Sequence, residues 1–338
     1  MVTKTRRQEG WGSLVPYLIS LLLLGASISL ALLLGSVNIW GSASADELFA
    51  TIFWQIRLPR LAVAGLCGAA QALAGALCQG LFRNSLASPS VLGTAQGAVL
   101  AGVLAFYGAG SSMHWYSLPM IASSGALLTT LLILVCMHQG LVPSLTHLLV
   151  FGLALSSLLA ALTSLVLSLA LADYSKAMTM LYWLMGGFAG SSWPQLQAIA
   201  IPLALGTLMA LFLAKPLNVF VLGDEVACSL GVGGKELTWW SVVASSLLVG
   251  GSVCVGGGLP FVSLLVPHLV RIFVGGEHFR LFVLSALNGM SLAIAADLLA
   301  RTVVAPGEIE VGIFTAILGT PFFIYVLWRQ QFSHAIRS

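Results

Sequence analysis

From Asn84 to Ala172 the chain runs 89 residues without an Asp, Glu, Lys or Arg. No water-facing surface can be built from such a stretch, but at about 20 apolar residues per crossing it holds three membrane spans with their loops. Shorter charge-free runs cover 10–45, 61–82, 177–214, 237–270, 281–296 and 311–328. Only 7% of the 338 residues are charged and 59% are hydrophobic, against about 25% charged in an ordinary soluble domain. A soluble globular fold is excluded, and so is disorder, which needs low hydrophobicity and high net charge. The expected fold class is an all-α polytopic membrane protein, a single integral-membrane domain over 1–338 in contact with lipid.

Turn formers at Gly108–Ser112 and Gln139–Ser144 divide the longest run. The expected spans are 13–37, 58–80, 90–107, 118–138, 146–170, 194–213, 237–255, 259–274, 281–300 and 311–328. Residues 237–270 read either as one kinked helix or as two spans parted at Gly256-Gly257-Gly258-Leu259-Pro260, and the positive-inside bias discriminates. With ten spans and a cytoplasmic N-terminus, the inside set is Lys4, Arg6, Arg7, Arg83, Lys215, Lys235, Arg271, Arg280, Arg329 and Arg337. The outside set is Arg57, Arg60, Lys176 and Arg301, a ratio of 10 to 4. Nine spans would give 7 to 7. Ten spans with both termini in the cytoplasm is the expectation.

The outside cations stand against the bias. Arg57 and Arg60, three apart, share a helix face at the start of a span, where a cation opposes the helix dipole. By spacing alone, snorkelling is favoured over docking of an acidic partner. Asp297 is the one acid expected inside a span, a functional candidate by default, although an ion pair with Arg301 at i, i+4 is the milder explanation. Between Lys215 and Lys235, LGDEVACSLGVGG at 222–234 reads as a short helix. Asp224 is its expected N-cap, Gly231 or Gly233 its end, and Ala227 with Leu230 its small apolar face. Such a helix caps the bundle or enters a groove on another protein.

Gly65, Gly68 and Gly75, like Gly93, Gly97 and Gly102, suit close helix approach. Trp183 and Phe188 read as interfacial belt, and His268 with Arg271 as a satisfied interfacial pair. The five scattered cysteines show no metal or disulfide spacing, the histidines show no zinc pattern, and Gly234-Lys235 lacks the Ser or Thr of a phosphate loop. No cofactor and no catalysis are expected. The net charge of +3 gives no footing for nucleic acid.

Read together, RLPR at 57–60, GALCQGLFRNSLASPSVLGTAQGA at 75–98, LGDEVACSLGV at 222–232, LPFVSLLVPHLVR at 259–271 and EIEVGIFTAILGTPFF at 308–323 resemble the membrane subunits of ABC importers for iron chelates and vitamin B12. The chain departs from that pattern at Ser85, where the family usually has proline, and at Ser263, where it has glycine. The resemblance implies ten helices per subunit and a translocation pathway between two membrane subunits, here expected to be a homodimer. It also implies two cytoplasmic ATPases, which hydrolyse the ATP, and an extracytoplasmic binding protein.

Carried over by position, Asp224, Glu225, Ala227, Leu230 and Gly231 fall in the ATPase-coupling loop, about 216–236. Arg57, Arg60 and Arg301 match outer arginines that pair with acidic residues of the binding protein, which lifts docking above snorkelling. Asn84, Leu86, Ser144, Leu145 and Thr146 match the cytoplasmic gate. WQIRLPR at 54–60 and LYWLMGGFAG at 181–190 are similar to vitamin B12 members, with ferric-siderophore or haem import as the alternative. The location implied is a bacterial inner membrane. An ion-driven secondary transporter, the rival of another class, needs buried ionisable groups at mid-membrane, and the long charge-free stretch opposes it.

Overall fold

The computed structural model describes residues 14–35, 50–109 and 117–335. Lys4, Arg6, Arg7, Arg337, both termini and most of the turn expected at Gly108–Ser112 lie outside them. All regular structure among the described residues is helical. The helices are α1 (Val15–Leu33), α2 (Ile52–Leu81), α3 (Thr94–Ala109), α4 (Ser117–His138), α5 (Leu145–Ala170), α6 (Tyr174–Met185), α7 (Trp193–Phe220), α8 (Asp224–Ser229), α9 (Gly234–Gly256), α10 (Val262–Val274), α11 (His278–Thr302) and α12 (Val311–Ala335).

Every expected span overlaps one apolar helix. Among the described residues, seven helices are long and apolar enough to cross a membrane, and three apolar ones are shorter. Residues 237–270 do divide: α9 ends at Gly256, and α10 begins at Val262. At about 1.5 Å per residue, the 13 residues of α10 span about 20 Å, less than a hydrocarbon core of about 30 Å.

The centre of the bundle is α2, flanked by α9 and α11, while α1, α5 and α7 lie at the periphery. Small residues explain the ranking. Gly68 and Gly289 face each other so closely that a Cβ on either would strike the other's backbone carbonyl, which lets α2 and α11 pack backbone to backbone. Gly75 similarly opposes the Ser263 carbonyl, and Gly97 faces Gly125 and Thr129. Close approach therefore holds at these positions. Gly65 makes ordinary contacts, and Gly93 instead has φ +77° at the end of the short Pro89–Leu92 turn. The peripheral α1 turns Leu18, Leu21 and Leu22 outward and fixes itself inward at Ser20, whose hydroxyl accepts from Asn288 Nδ2 at 2.7 Å.

Candidate functional site

Two places gather the residues singled out by sequence, one at each end of the bundle. At the first, α2 begins at Ile52 rather than 58, with Ile52–Arg57 wound as a π-helix. Arg57 and Arg60 are thus helix-interior, and the expected clash with the dipole of their own helix does not arise. Arg57 Nη1 donates to the Leu32 and Leu33 carbonyls at 2.6 and 3.3 Å. Arg301 Nη2 donates to the Ala31 carbonyl at 2.6 Å. Both cations sit on the C-terminus of α1, whose last carbonyls lack helical partners and carry the negative end of the dipole.

Arg60 is the hub. Its Nε donates to Asp297 Oδ1 and Oδ2 at 2.9 and 3.1 Å, and its Nη2 to Oδ1 at 2.8 Å. On its other edge, Nη1 and Nη2 donate to Glu308 Oε1 and Oε2 at 3.0 and 2.9 Å. A guanidinium fork matched to two carboxylates is the strongest kind of protein hydrogen bonding. The expected Asp297–Arg301 pair exists at 3.6 Å, but as the lesser contact. Arg57, Arg60 and Arg301 are 5%, 8% and 6% exposed, so in this conformation all three face inward.

Beside this cluster three helix ends meet. Gly187 N–H donates to the Gly256 carbonyl at 3.0 Å, and Gly312 N–H to the Gly186 carbonyl at 3.3 Å. A Cβ at Gly186 would meet the Gly258 carbonyl, one at Gly257 the Trp183 carbonyl, and one at Gly312 the Met185 carbonyl. Gly186 and Gly257 also have φ of +76° and +61°, which favours glycine. The junction walls a cavity of about 300 Å³ lined by Arg60, Glu308, Glu310, Gln195, Tyr182 and Cys254, among others. Burial, and then the neighbouring Glu308 carboxylate, push Glu310 above the usual carboxylate range. Phe188 is fully buried against Gly256, and Trp183 packs on Gly102 and Phe106. They form wall rather than the expected belt, because α6, which lies between the expected spans 146–170 and 194–213, folds back over the bundle.

At the opposite end, α8 stands exposed between α7 and α9. Its N-cap is Gly223, and Asp224 is the first helical residue. The expected side-chain cap is replaced by an ion pair: Arg83 Nη2 donates to Asp224 Oδ1. The Arg83 guanidinium lies 4.1 Å from the centre of the Phe220 ring, a cation–π contact. Arg83 adopts φ +50°, held by the turn in which Asn84 Oδ1 accepts from Leu86 N–H at 2.9 Å. Ala227 is 1% exposed while Leu230 is 62% exposed, so they do not share a face. The outward apolar side chains are Leu222, Val226 and Leu230, spaced four apart. Val226 was missed, although that spacing would have found it. Glu225 and Gly231 are exposed, and Gly231 closes the helix at φ +81°.

Ser144 caps α5, accepting from His147 N–H at 3.4 Å, and Thr146 is exposed. Leu145 and Phe82 pack against the same buried cluster, whereas Leu86 lines a separate small pocket with Phe261, Phe322 and Phe323. His268 and Arg271 do not pair. His268 Nδ1 and Arg271 Nε and Nη2 are without partner among the described residues. Below the same end, Glu277 caps α11, its carboxylate accepting from the Phe279 and Arg280 N–H groups at 3.1 and 2.8 Å. Burial pushes Glu277 up, but the Arg280 N–H, the Asn218 side chain and the Phe279 N–H outweigh it and hold the group below the usual range. Among the described residues no group of three or more His, Cys, Asp or Glu could hold a metal.

The pattern of the FecCD transport family matches residues 20–329. The chain belongs to that family. It is 37% identical to the vitamin B12 import system permease protein BtuC of Vibrio cholerae, over 92% of this chain and 94% of that one. To the hemin transport system permease protein HmuU of Yersinia pestis it is 35% identical, over 93% and 94%. To the Fe(3+) dicitrate transport system permease protein FecD of Escherichia coli it is 38% identical, over 83% and 86%. A solved inward-facing metal-chelate-type ABC transporter superposes with a TM-score of 0.83 at 30% identity, covering 92% of this chain and 97% of that one. The chain is therefore a permease of the metal-chelate and vitamin B12 class of ABC importers, a multi-pass protein of a bacterial inner membrane.

Proposed function

We propose that this permease imports a corrinoid, with two copies of the chain enclosing the pathway. Two cytoplasmic ATPases and an extracytoplasmic binding protein complete the importer. The chain itself performs no catalysis. Partners that bind one facing of the dimer more tightly than the other set its populations. Ten crossings with both termini in the cytoplasm follow from the ratio of basic residues, 10 to 4. On that reading α8 is cytoplasmic, and Leu222, Val226 and Leu230 with Glu225 form the surface that enters the ATPase. Asn84, Leu86, Ser144, Leu145 and Thr146 lie at the cytoplasmic mouth as the gate, and Arg57, Arg60 and Arg301 lie outside, where the binding protein docks.

The observation that carries the coupling assignment is α8 itself. It is a six-residue helix, clamped to the bundle through Asp224 and Ala227, that leaves large apolar side chains uncovered. For the cargo, the support is WQIRLPR at 54–60 and LYWLMGGFAG at 181–190, the segments that build the cavity and the Arg60 cluster. Overall identity does not choose, since the vitamin B12, hemin and dicitrate relatives lie within 35–38%.

Uptake of labelled cobalamin, haem and a ferric siderophore in a strain lacking the subunit separates these cargoes. Loss of cobalamin uptake, restored by the wild-type gene, is expected. Loss confined to haem or siderophore would replace the cargo. Cobalamin uptake that persists without any ATPase subunit would revive an ion-driven carrier.

A further inference from the structure

Four of the five Arg60 N–H donors are engaged, on both edges of the guanidinium, and its two carboxylates are unequal. Asp297 projects from the last turns of α11, and its side chain is 3% exposed, whereas Glu308 sits on the non-helical connection to α12 and is 35% exposed. Asp297 is also tied to Arg301. Glu308 instead has Glu310 beside it, a like charge that disfavours its placement. An external carboxylate can pair with an edge of Arg60 through two bonds only by displacing one of these two, and Glu308 holds the more accessible edge.

We propose that Glu308 is an internal stand-in for a partner's carboxylate. An acidic side chain of the docking protein replaces it on Arg60, and its release frees the segment that walls the cavity. The exchange rests on the reading that Arg60 faces the binding protein. Its charge balance closes. Swapping one carboxylate for another leaves the charge paired with Arg60 unchanged. Glu308 then moves into the cavity it already lines. The movement is transmitted because Glu308, Ile309, Glu310 and Val311 are consecutive wall residues, anchored at Ile309 by one backbone bond, to the Ala300 carbonyl at 2.9 Å. Docking and cavity shape are thereby coupled through one side chain.

The test is binding of the importer's own purified binding protein to the intact permease–ATPase complex in nanodiscs, at low and high salt. Glu308→Gln keeps the shape and removes the charge that competes for Arg60. It is expected to tighten docking about tenfold, the equivalent of one charge-assisted hydrogen bond, most visibly at low salt. In an Arg60→Met/Asp297→Asn background, which leaves no buried carboxylate stranded on α11, Glu308→Gln is expected to change nothing further.

Docking that Glu308→Gln leaves unchanged or weakens, while the Arg60→Met/Asp297→Asn variant also weakens it, would overturn the exchange and keep the docking site. Docking indifferent to the Arg60→Met/Asp297→Asn variant would overturn both. Thiol labelling read by peptide mass spectrometry separates gating from general loosening. Cys254 lines the cavity, and Cys78 is buried in a separate apolar cluster. Glu308→Gln is expected to raise the labelling rate of Cys254 several-fold and leave Cys78 unchanged. Equal rises at both would mean that Glu308 is merely structural.

Discussion

Replacing Asp297 by asparagine tests whether the Arg60 cluster holds the bundle together. The carboxylate accepts from Arg60 through three contacts of 2.8–3.1 Å and lies 3.6 Å from Arg301. Removing one partner of a buried ion pair costs about 3–5 kcal/mol. Two features reduce this: Glu308 still holds Arg60 through two bonds, and the asparagine oxygen can still accept one. The expected loss is about 2–4 kcal/mol.

Arg60→Met alone strands Asp297 beside Glu308 and is expected to cost about 3–5 kcal/mol. The two together remove one charge of each sign and leave the net charge of the cluster unchanged. The double variant should therefore lose less than the sum of the single losses by about 1 kcal/mol or more. The assay is reversible unfolding of the purified permease in mixed micelles, titrated with a denaturing detergent. An Asp297→Asn loss below about 0.5 kcal/mol, or strict additivity of the pair, would show that the cluster is solvated and energetically idle.

Arg83→Ala removes both the Asp224 pair and the Phe220 contact. Because both charges are partly exposed, only about 1 kcal/mol of stability is expected to go, while ATPase co-purification falls several-fold, as a pull-down would measure. Gly289→Val places a side chain against the Gly68 carbonyl, and parting α2 from α11 is expected to cost about 1–3 kcal/mol, read as a lowered unfolding midpoint. Glu277 is held below its ordinary 4.5, so its contribution is present above that value and is lost as pH falls through the lower folded one. Glu277→Gln is therefore expected to cost about 1 kcal/mol at pH 7, and the difference from wild type should vanish on acidification. A difference that grows instead would show that the carboxylate is not the cap.

The sequence by itself determined the class of fold and the positions of the apolar helices. Both depend on local composition: a charge-free run of spanning length has no stable place but lipid, and the glycines at 256–258 interrupt a helix whatever surrounds them. It also located α8, whose acidic start and closing Gly231 are local signals. Tertiary structure alone decided which charges are free. Arg60 meets Asp297 across 237 residues of chain, and Arg57 and Arg301 find their carbonyls on a third helix. No spacing rule reaches that far, so cations that looked like surface features became the inside of a cluster. The same holds for Trp183 and Phe188, which are interfacial by composition but become cavity wall once α6 packs over the glycine junction. Local chemistry fixes what a segment is; which side of it faces the protein depends on neighbours that are distant in sequence.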